Sequence, residues 1–228
     1  MADFRHISLS NVVSCIVSKV LANHVKTILP NIISNTQSAF VLDRLISDNT
    51  TVAYEMLHWL RNRRQGKIGH IAMKLDISKT YDRVEWEFLH KIMLKLGFTR
   101  RWVNLVMRFV STANYTMLIN GEPQGFISPT RGTKQGDLLL LYLFLFCVEG
   151  LFAMIQKAIE WQQLHRVLYC CGGVSISHLL FADDNLFLCP ALHSECSTLL
   201  YVLSIYEWAS GQAIKQQTTA LFFSPNMD

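Results

Sequence analysis

The sequence predicts an α+β domain in which helices pack on one antiparallel sheet. Half of the 228 residues are apolar and 17% are charged, a composition that excludes a disordered chain. Segments with helical periodicity and segments with alternating periodicity follow one another without regular βαβ order, which favours an antiparallel sheet. Two strand-like runs around Asn120-Gly121 carry the turn signal of a β-hairpin.

The first 76 residues predict two helices and a strand. Apolar residues recur at helical spacing from residue 11 to Leu29, where Pro30 closes the run, and again near 47–62. A turn, RNRRQGKIG, follows. In HIAMKLD (70–76), Ile71, Met73 and Leu75 alternate with Ala72, Lys74 and Asp76, as in a half-buried strand.

The rest of the chain predicts four helices, a hairpin and several short strands. Ser78 is a candidate N-cap for a helix that ends at Gly97, and Thr99 begins another. The loop RGTKQGD leads into a helix that runs to about residue 161; its 11-residue apolar run, 138–148, is too short to cross a bilayer and predicts a core helix. The remaining predictions are strands near 166–170, 174–182 and 186–189, a helix near 194–209 and a strand near 219–223.

Charge and cysteine content set broad limits on function. The net charge of +4 permits a polyanionic partner without requiring one, and the basic residues gather at turns. The six cysteines include no C-x-x-C pair, which favours a reducing compartment. MADFRHISLS has no apolar core of a secretory signal.

The pair Asp183-Asp184 lies between the apolar runs LLFA and NLFL, so we expect it at or beside a tight hairpin turn. Asp is common in turns for conformational reasons alone. The apolar neighbours favour a second interpretation, because adjacent carboxylates in a partly desolvated place repel one another unless a cation neutralises them. If the strand of Asp76 is adjacent, three carboxylates converge on one edge of the sheet. Oxygen ligands of this kind hold Mg²⁺, and two such ions can assist displacement at phosphorus.

Three ordered motifs, KLDISKTYD, RGTKQGD and FADD, resemble the palm motifs of reverse transcriptases. RHISLSN, QSAFVLDRLISDN, INGEPQGFISPTRG and GQAIKQQTTALFFSPN extend the likeness over nearly the whole chain. Together they resemble the reverse transcriptase of plant LINE-type (non-LTR) retrotransposons. The resemblance implies one domain over 1–228, a polymerase right-hand palm from about 70 to 228 with part of the fingers in 1–69, and a missing thumb.

The resemblance also implies residue roles. Asp76, Asp183 and Asp184 would be the catalytic, metal-binding carboxylates for two Mg²⁺ ions, with Mn²⁺ as a possible substitute. The residues implied for nucleotide binding are Arg5, Tyr81, Gln135 and Gly136. Arg63, Arg64, Arg131 and Lys134 are candidates for template and primer contact, although RNRRQGK also fits an ordinary solvated turn.

The implied function is RNA-directed DNA polymerisation from deoxynucleoside triphosphates on an RNA template with a DNA primer. The resemblance suggests a nuclear location. No membrane segment and no obligatory protein partner are evident in the sequence. A two-metal nuclease is an alternative that Tyr81 and the GTKQGD loop disfavour, since a nuclease has no need to select a nucleotide sugar.

Several departures leave a catalytically inactive, folded remnant that at most binds nucleic acid as an alternative. Where the family usually reads GLRQGDPLSPYLF, this chain reads GTKQGDLLLLYLF, so we expect a looser start of the following helix. Lys134 replaces an arginine and loses its bidentate fork. The family's asparagine and lysine near the end are Lys215 and Thr218 here, so proton donation to pyrophosphate is lost or moved to Lys215.

Overall fold

The computed structural model describes residues 11–78, 82–133, 136–168, 175–181, 184–215 and 218–227. The helices of this part of the chain are α1 (Val12–Ile32), α2 (Ile46–Asn62), α3 (Trp86–Lys95), α4 (Arg100–Ser111), α5 (Leu138–Glu160) and α6 (His193–Ser210). The strands are β1 (His70–Ser78), β2 (Tyr115–Ile119), β3 (Glu122–Ile127), β4 (Val167–Leu168), β5 (Ser175–Ile176), β6 (His178–Phe181), β7 (Asp184–Pro190), β8 (Ala213–Ile214) and β9 (Ala220–Phe223). The predicted α+β class is confirmed.

Strand β1 is the centre of the main sheet. One edge of β1 pairs antiparallel with β7, and β7 pairs in turn with β6. The other edge pairs with β9 near the start of β1 and with β8 at its end. Because Ile71, Leu75 and Ile77 point away from Ala72, Lys74 and Asp76, the predicted alternation of β1 assigns each set to one face of this sheet.

Helices pack on one face of the sheet. Helix α5 packs with α1, α3 and α6, and residues on this side, including Leu75, Ile77 and Phe187, form the larger core cluster. Both α1 and α5 are long and apolar enough to cross a membrane by length and composition. In this fold α5 is a core helix, as its sequence predicts, because 12 of its 23 residues are buried.

The opposite face of the sheet is covered only in part. Met56 and Leu60 of α2 pack with Ala72 of β1 and Leu188 of β7 in a second, smaller cluster. This cover lies over the half of β1 that begins at His70. The half that carries Asp76 is therefore left open on this face.

The segment between α1 and α2 is fastened to the edge strand β6. Gln37 forms a parallel bridge with Leu180, and the amide of Asn49 donates to the carbonyls of Thr36 and Leu180 at 3.0 and 2.9 Å. The guanidinium of Arg44 donates to several backbone carbonyls of residues 30–37. These bonds fix the helical N-terminal part of the chain against the sheet.

Two predicted boundaries are wrong. Ser78 does not cap a helix: Ile77 and Ser78 pair with β8, so their backbone groups serve the sheet, and α3 begins only at Trp86. Helix α1 continues past Leu29 to Ile32, with Pro30 in its last turn, so the proline removes only one N–H donor close to the end of the helix. At the start of α5, Asp137 is the N-cap, and its carboxylate accepts from the Leu139 N–H at 2.9 Å.

We predict that Gly211→Ala lowers the free energy of unfolding much more than Gly97→Ala. Both glycines follow helices with positive φ, +74° and +91°, where a side chain costs roughly 1–2 kcal/mol. A Cβ at Gly211 would also lie 2.4 Å from the carbonyl oxygen of Arg83, whereas nothing lies within 4 Å at Gly97. Urea unfolding measures both variants, and equal losses would contradict the packing argument.

Candidate active site

Two of the predicted carboxylates lie directly opposite each other on neighbouring strands. Asp76 of β1 is the register partner of Asp184 of β7. Asp184 is also paired with Phe181 of β6, so only Ala182 and Asp183 separate the paired positions, as the hairpin prediction requires. Directly opposite residues have Cβ atoms roughly 5 Å apart, which brings the two carboxylates within reach of a shared cation. Asp183 lies outside the described residues.

Both carboxylates are accessible from solvent. The side chain of Asp76 is 27% exposed and that of Asp184 is 56% exposed. They lie on the open half of the sheet face, beyond the cover of α2, while neighbouring Leu75 and Ile77 are buried on the helical side. The helical face of the sheet is thus packed behind the acidic pair, and the opposite face, which carries the two carboxylates, is open to a ligand.

Each carboxylate has a lysine partner. Lys74 Nζ lies 3.1 Å from Asp184 Oδ1, and Lys215 Nζ lies 3.4 Å from Asp76 Oδ2. The Thr218 hydroxyl donates to the same Asp76 oxygen at 2.9 Å. Two ammonium groups therefore balance two carboxylates that would otherwise repel each other.

The Lys215 segment is positioned by its backbone. The Lys215 N–H donates to the Asp76 carbonyl at 2.9 Å, directly after β8 pairs with the end of β1. The Thr219 hydroxyl closes the following turn by donating to the Lys215 carbonyl at 2.8 Å. Lys215 and Thr218 are the two positions at which the sequence departs from the expected asparagine and lysine, and both contact Asp76.

The donor set suits a divalent cation with hard oxygen ligands. Asp76 and Asp184 offer exposed carboxylate oxygens that attract positive charge in the structure, as their lysine partners show. Within the ranges that the structure describes, no three His, Cys, Asp or Glu side chains converge as a complete metal site. The third predicted ligand, Asp183, is not among those residues.

The connection between β1 and α3 clamps the loop that begins RGTKQGD. The Gly132 N–H donates to the Val84 carbonyl at 2.8 Å, and the Gly132 carbonyl accepts from the Trp86 indole at 2.7 Å. Gly132 has a φ of +77°, and a Cβ there would lie 2.4 Å from the Asp82 carbonyl oxygen. The loop is thus held on both sides of a position that only glycine fills without strain.

One predicted template contact, Arg63, lies at the end of β1 that is remote from the acidic pair. The Arg63 guanidinium lies over the ring of Trp59, which contacts His70 at the start of β1. His70 is six residues from Asp76 and thus about 20 Å away along the strand. Arg64 is the next residue along the chain. The Arg131 guanidinium lies 3.4 Å from the Glu85 carboxylate, at the clamped loop. Gly136 has a φ of +96° and precedes the N-cap of α5.

Arg5, Tyr81, Lys134 and Gln135 lie outside the described residues, so their predicted roles stay predictions. The sequence reasoning missed Lys74 and Trp86. The alternation in KLD signalled that Lys74 shares a face with Asp76, and Trp86 had no signal because its partner is 46 residues away.

The fold and the acidic pair define a polymerase palm preceded by fingers: an antiparallel sheet with helices on one face and over part of the other, and paired aspartates at its open end. The chain matches the sequence model of the family "Reverse transcriptase (RNA-dependent DNA polymerase)" over residues 1–221, and it belongs to that family.

The relatives are proteins of mobile elements and a plant mitochondrial protein. An uncharacterized mitochondrial protein of Arabidopsis thaliana is 45% identical over 68 residues, which are 30% of this chain and 56% of that protein. The Pol polyprotein of the type-1 retrotransposable element R2 from Nasonia vitripennis is 26% identical over 82% of this chain and 17% of its own length. The uncharacterized 149 kDa protein of transposon TX1 from Xenopus laevis is 26% identical over 68% of this chain and 12% of its own length. These relatives confirm a reverse transcriptase domain of the non-LTR retrotransposon class, and the chain spans only part of each of them.

Solved telomerases share the fold. The telomerase of Candida albicans, solved with a fragment of telomeric RNA, superposes with a TM-score of 0.60 at 12% identity and covers 95% of this chain and 36% of its own. The telomerase of Candida tropicalis, solved with the same kind of fragment, gives a TM-score of 0.58 at 12% identity over 93% of this chain and 34% of its own. The predicted palm and fingers architecture is confirmed at this level.

We predict that Trp86→Phe loosens the RGTKQGD loop without unfolding the protein. The variant keeps an aromatic ring but loses the N–H that holds the Gly132 carbonyl, a bond worth about 1 kcal/mol. Limited digestion with trypsin should therefore cut after Arg131 about 5-fold faster.

Trp102→Phe is the matched control. The Trp102 indole nitrogen is buried and has no hydrogen-bond partner in the described part of the chain, so removing it should leave cleavage at Arg131 unchanged. Equal acceleration in the two variants would refute the role of the clamp.

Proposed function

We propose that this chain is the catalytic palm and fingers of an RNA-directed DNA polymerase that adds deoxynucleoside triphosphates to a DNA primer on an RNA template. The observation that carries the proposal is the register of Asp76 against Asp184 at the open end of the sheet. Family membership and the RNA bound to telomerases of the same fold support nucleic acid as the partner.

Asp76 and Asp184, with Asp183, are proposed to hold two Mg²⁺ ions, for which Mn²⁺ is a substitute. When bound, such ions stabilise the negative charge that develops on the reacting phosphate and on the attacking and leaving oxygens. The protein's part is to fix the carboxylates on rigid strands and to keep the front of the sheet open. The primer 3′-oxygen forms a bond to the α-phosphorus, and the bond from that phosphorus to the pyrophosphate oxygen breaks.

Lys215 is the proposed proton donor to the leaving pyrophosphate. Its ammonium group lies at the acidic pair, 3.4 Å from Asp76 Oδ2, and its backbone is tied to the end of β1. Thr218, at the position of the family's lysine, has no proton of suitable acidity to give. The proposed general acid, Lys215, is therefore three residues before the position of the family's lysine, and it contacts the acidic pair through Asp76.

We predict that Asp76→Asn and Asp183→Asn each reduce primer extension at least about 100-fold, because positive charge is no longer fixed at the reacting phosphate. The assay is incorporation of dTTP on poly(rA) primed with oligo(dT) in the presence of Mg²⁺, and removal of the metal with EDTA should have the same effect. Asp48→Asn, on the exposed first turn of α2, is the control that keeps activity.

Circular dichroism and thermal unfolding establish that each variant is folded. An aspartate variant that extends primers at the parental rate would overturn the assignment. Folded parent protein that binds the primed template without incorporating nucleotides would instead identify an inactive remnant.

We predict that Lys215→Ala lowers the rate of incorporation about 10²- to 10⁴-fold, since general acid catalysis contributes on this scale. The KM for dTTP should change much less than kcat. Thr218→Val removes the other side-chain contact to Asp76 but no proton donor, so its kcat should stay near the parental value. A kcat that falls equally in both variants would show that Lys215 acts only through the position of Asp76.

A further inference from the structure

The outer surface of α2 carries an open groove that the polymerase site does not use. Two rows of side chains at four-residue spacing line it, so they lie side by side on the helix. The first row is Tyr54, His58 and Asn62, and the second is Glu55, Trp59 and Arg63. The groove has a volume of about 580 Å³.

The aromatic side chains of the groove are ordered by contacts with one another. The rings of Tyr54 and His58 are stacked, with centroids 6.4 Å apart and planes at 19°. The Asn62 amide lies 3.1 Å from a ring nitrogen of His58. The Trp59 ring meets the edge of His70 at 5.2 Å and carries the Arg63 guanidinium over its face at 4.8 Å.

The row of Tyr54, His58 and Asn62 faces solvent, and the opposite side of α2 packs against the sheet. Tyr54 is 72% exposed, whereas Met56 and Leu60 on the opposite side of α2 are buried against the sheet. A ligand can therefore reach the ring faces without any movement of the helix. The order of the rings also reduces the conformational entropy that binding removes.

The sequence at the C-terminal end of the groove is basic. Glu55 is the one carboxylate among its lining residues, while the C-terminal end of α2 and the turn after it supply the cations Arg61, Arg63, Arg64 and Lys67. Aromatic faces beside such cations are the features that bind single-stranded nucleic acid, by stacking of bases and attraction of phosphates. A double-stranded ligand would hide its base faces and gain only from the charges.

The groove is separate from the acidic pair. Trp59 contacts His70 at the start of β1, and Asp76 lies six residues further on, about 20 Å along the strand. We propose that the groove of α2 is a second binding site, which takes a segment of single-stranded nucleic acid by stacking bases on Tyr54 and His58 and contacting phosphates with Arg63 and Arg64. This inference goes beyond the proposed polymerase function and does not depend on it.

The test uses fluorescence anisotropy with labelled 12-nucleotide probes of oligo(rA), oligo(dA) and an abasic strand. Tyr54→Ala should weaken binding of the two probes that have bases by about 5- to 100-fold, the range for loss of one stacking side chain. Binding of the abasic strand should not change. The ratio between the oligo(rA) and oligo(dA) affinities tells which backbone the site prefers.

Tyr201→Ala is the matched control, since Tyr201 is a 66% exposed tyrosine on α6. It should leave all three affinities unchanged. Equal effects of the two tyrosine variants, or an abasic strand that binds as tightly as oligo(rA), would overturn the stacking site. So would a groove that no probe occupies, the result expected if its partner is a protein.

The phosphate contacts are tested by the salt dependence of binding. Each phosphate neutralised on a single strand contributes about 0.7 to the slope of log K against log salt. Arg63→Gln should therefore reduce the slope by about 0.7, and Tyr54→Ala should not reduce it. Arg108→Gln, a change at an exposed arginine of α4, is the control that leaves the slope unaltered; a reduction there equal to that of Arg63→Gln would refute the assignment.

The two proposals fail in different ways. Asp76→Asn should abolish nucleotide incorporation and leave the effect of Tyr54→Ala on oligonucleotide binding intact. If incorporation depends on Asp76 but Tyr54→Ala binds every probe normally, the second site is wrong and the polymerase stands. The reverse pattern would leave a binding surface on a protein without polymerase activity.

Discussion

The structure depends on one electrostatic constraint, which is that two aspartates lie opposite each other on adjacent strands. Like charges in such a pair repel, and the register of β1 with β7 gives Asp76 and Asp184 no freedom to separate. Positive charge must therefore be supplied at this place. Lys74 supplies it from the same face of β1, and Lys215 supplies it from the turn that follows β8. The pairing of β8 with the end of β1 is thus part of the electrostatic balance as well as of the sheet.

The register itself is fixed by unequal burial of the two faces of the sheet. A slip of one residue between β1 and β7 would turn Leu75 and Ile77 out of the core and drive carboxylates into it, so the helical face allows only one register. On the other face, α2 buries only the half near His70. The acidic pair is consequently rigid and accessible at once, a combination that a fully covered or a fully exposed sheet would not provide.

The sequence predicted what depends on local periodicity. The alternation in HIAMKLD assigned Asp76 and Lys74 to one face, and the apolar runs around Asp183-Asp184 placed a hairpin there. It did not predict that β1 continues to Ser78, since the partner strand β8 lies 135 residues further on. The sequence did not predict the hydrogen bond between Trp86 and Gly132 for the same reason, because these two residues meet only after the helices have packed. Contacts between distant segments leave no period in the sequence, whereas strand faces and turns do.

The distribution of charge along β1 suggests how binding and chemistry are divided. At the end with Asp76 and Asp184 the two carboxylates are balanced by Lys74 and Lys215, so this end offers little net charge for holding a nucleic acid. The other end, with the aromatic groove of α2 and the arginines after it, is the proposed second site, and its attraction for a polyanion would not require metal. Binding at a place remote from the reacting atoms stabilises the ground state and the transition state equally, so it lowers KM without raising kcat. A domain with a strong acidic pair at one end of its central strand therefore gains from a separate basic and aromatic surface at the other.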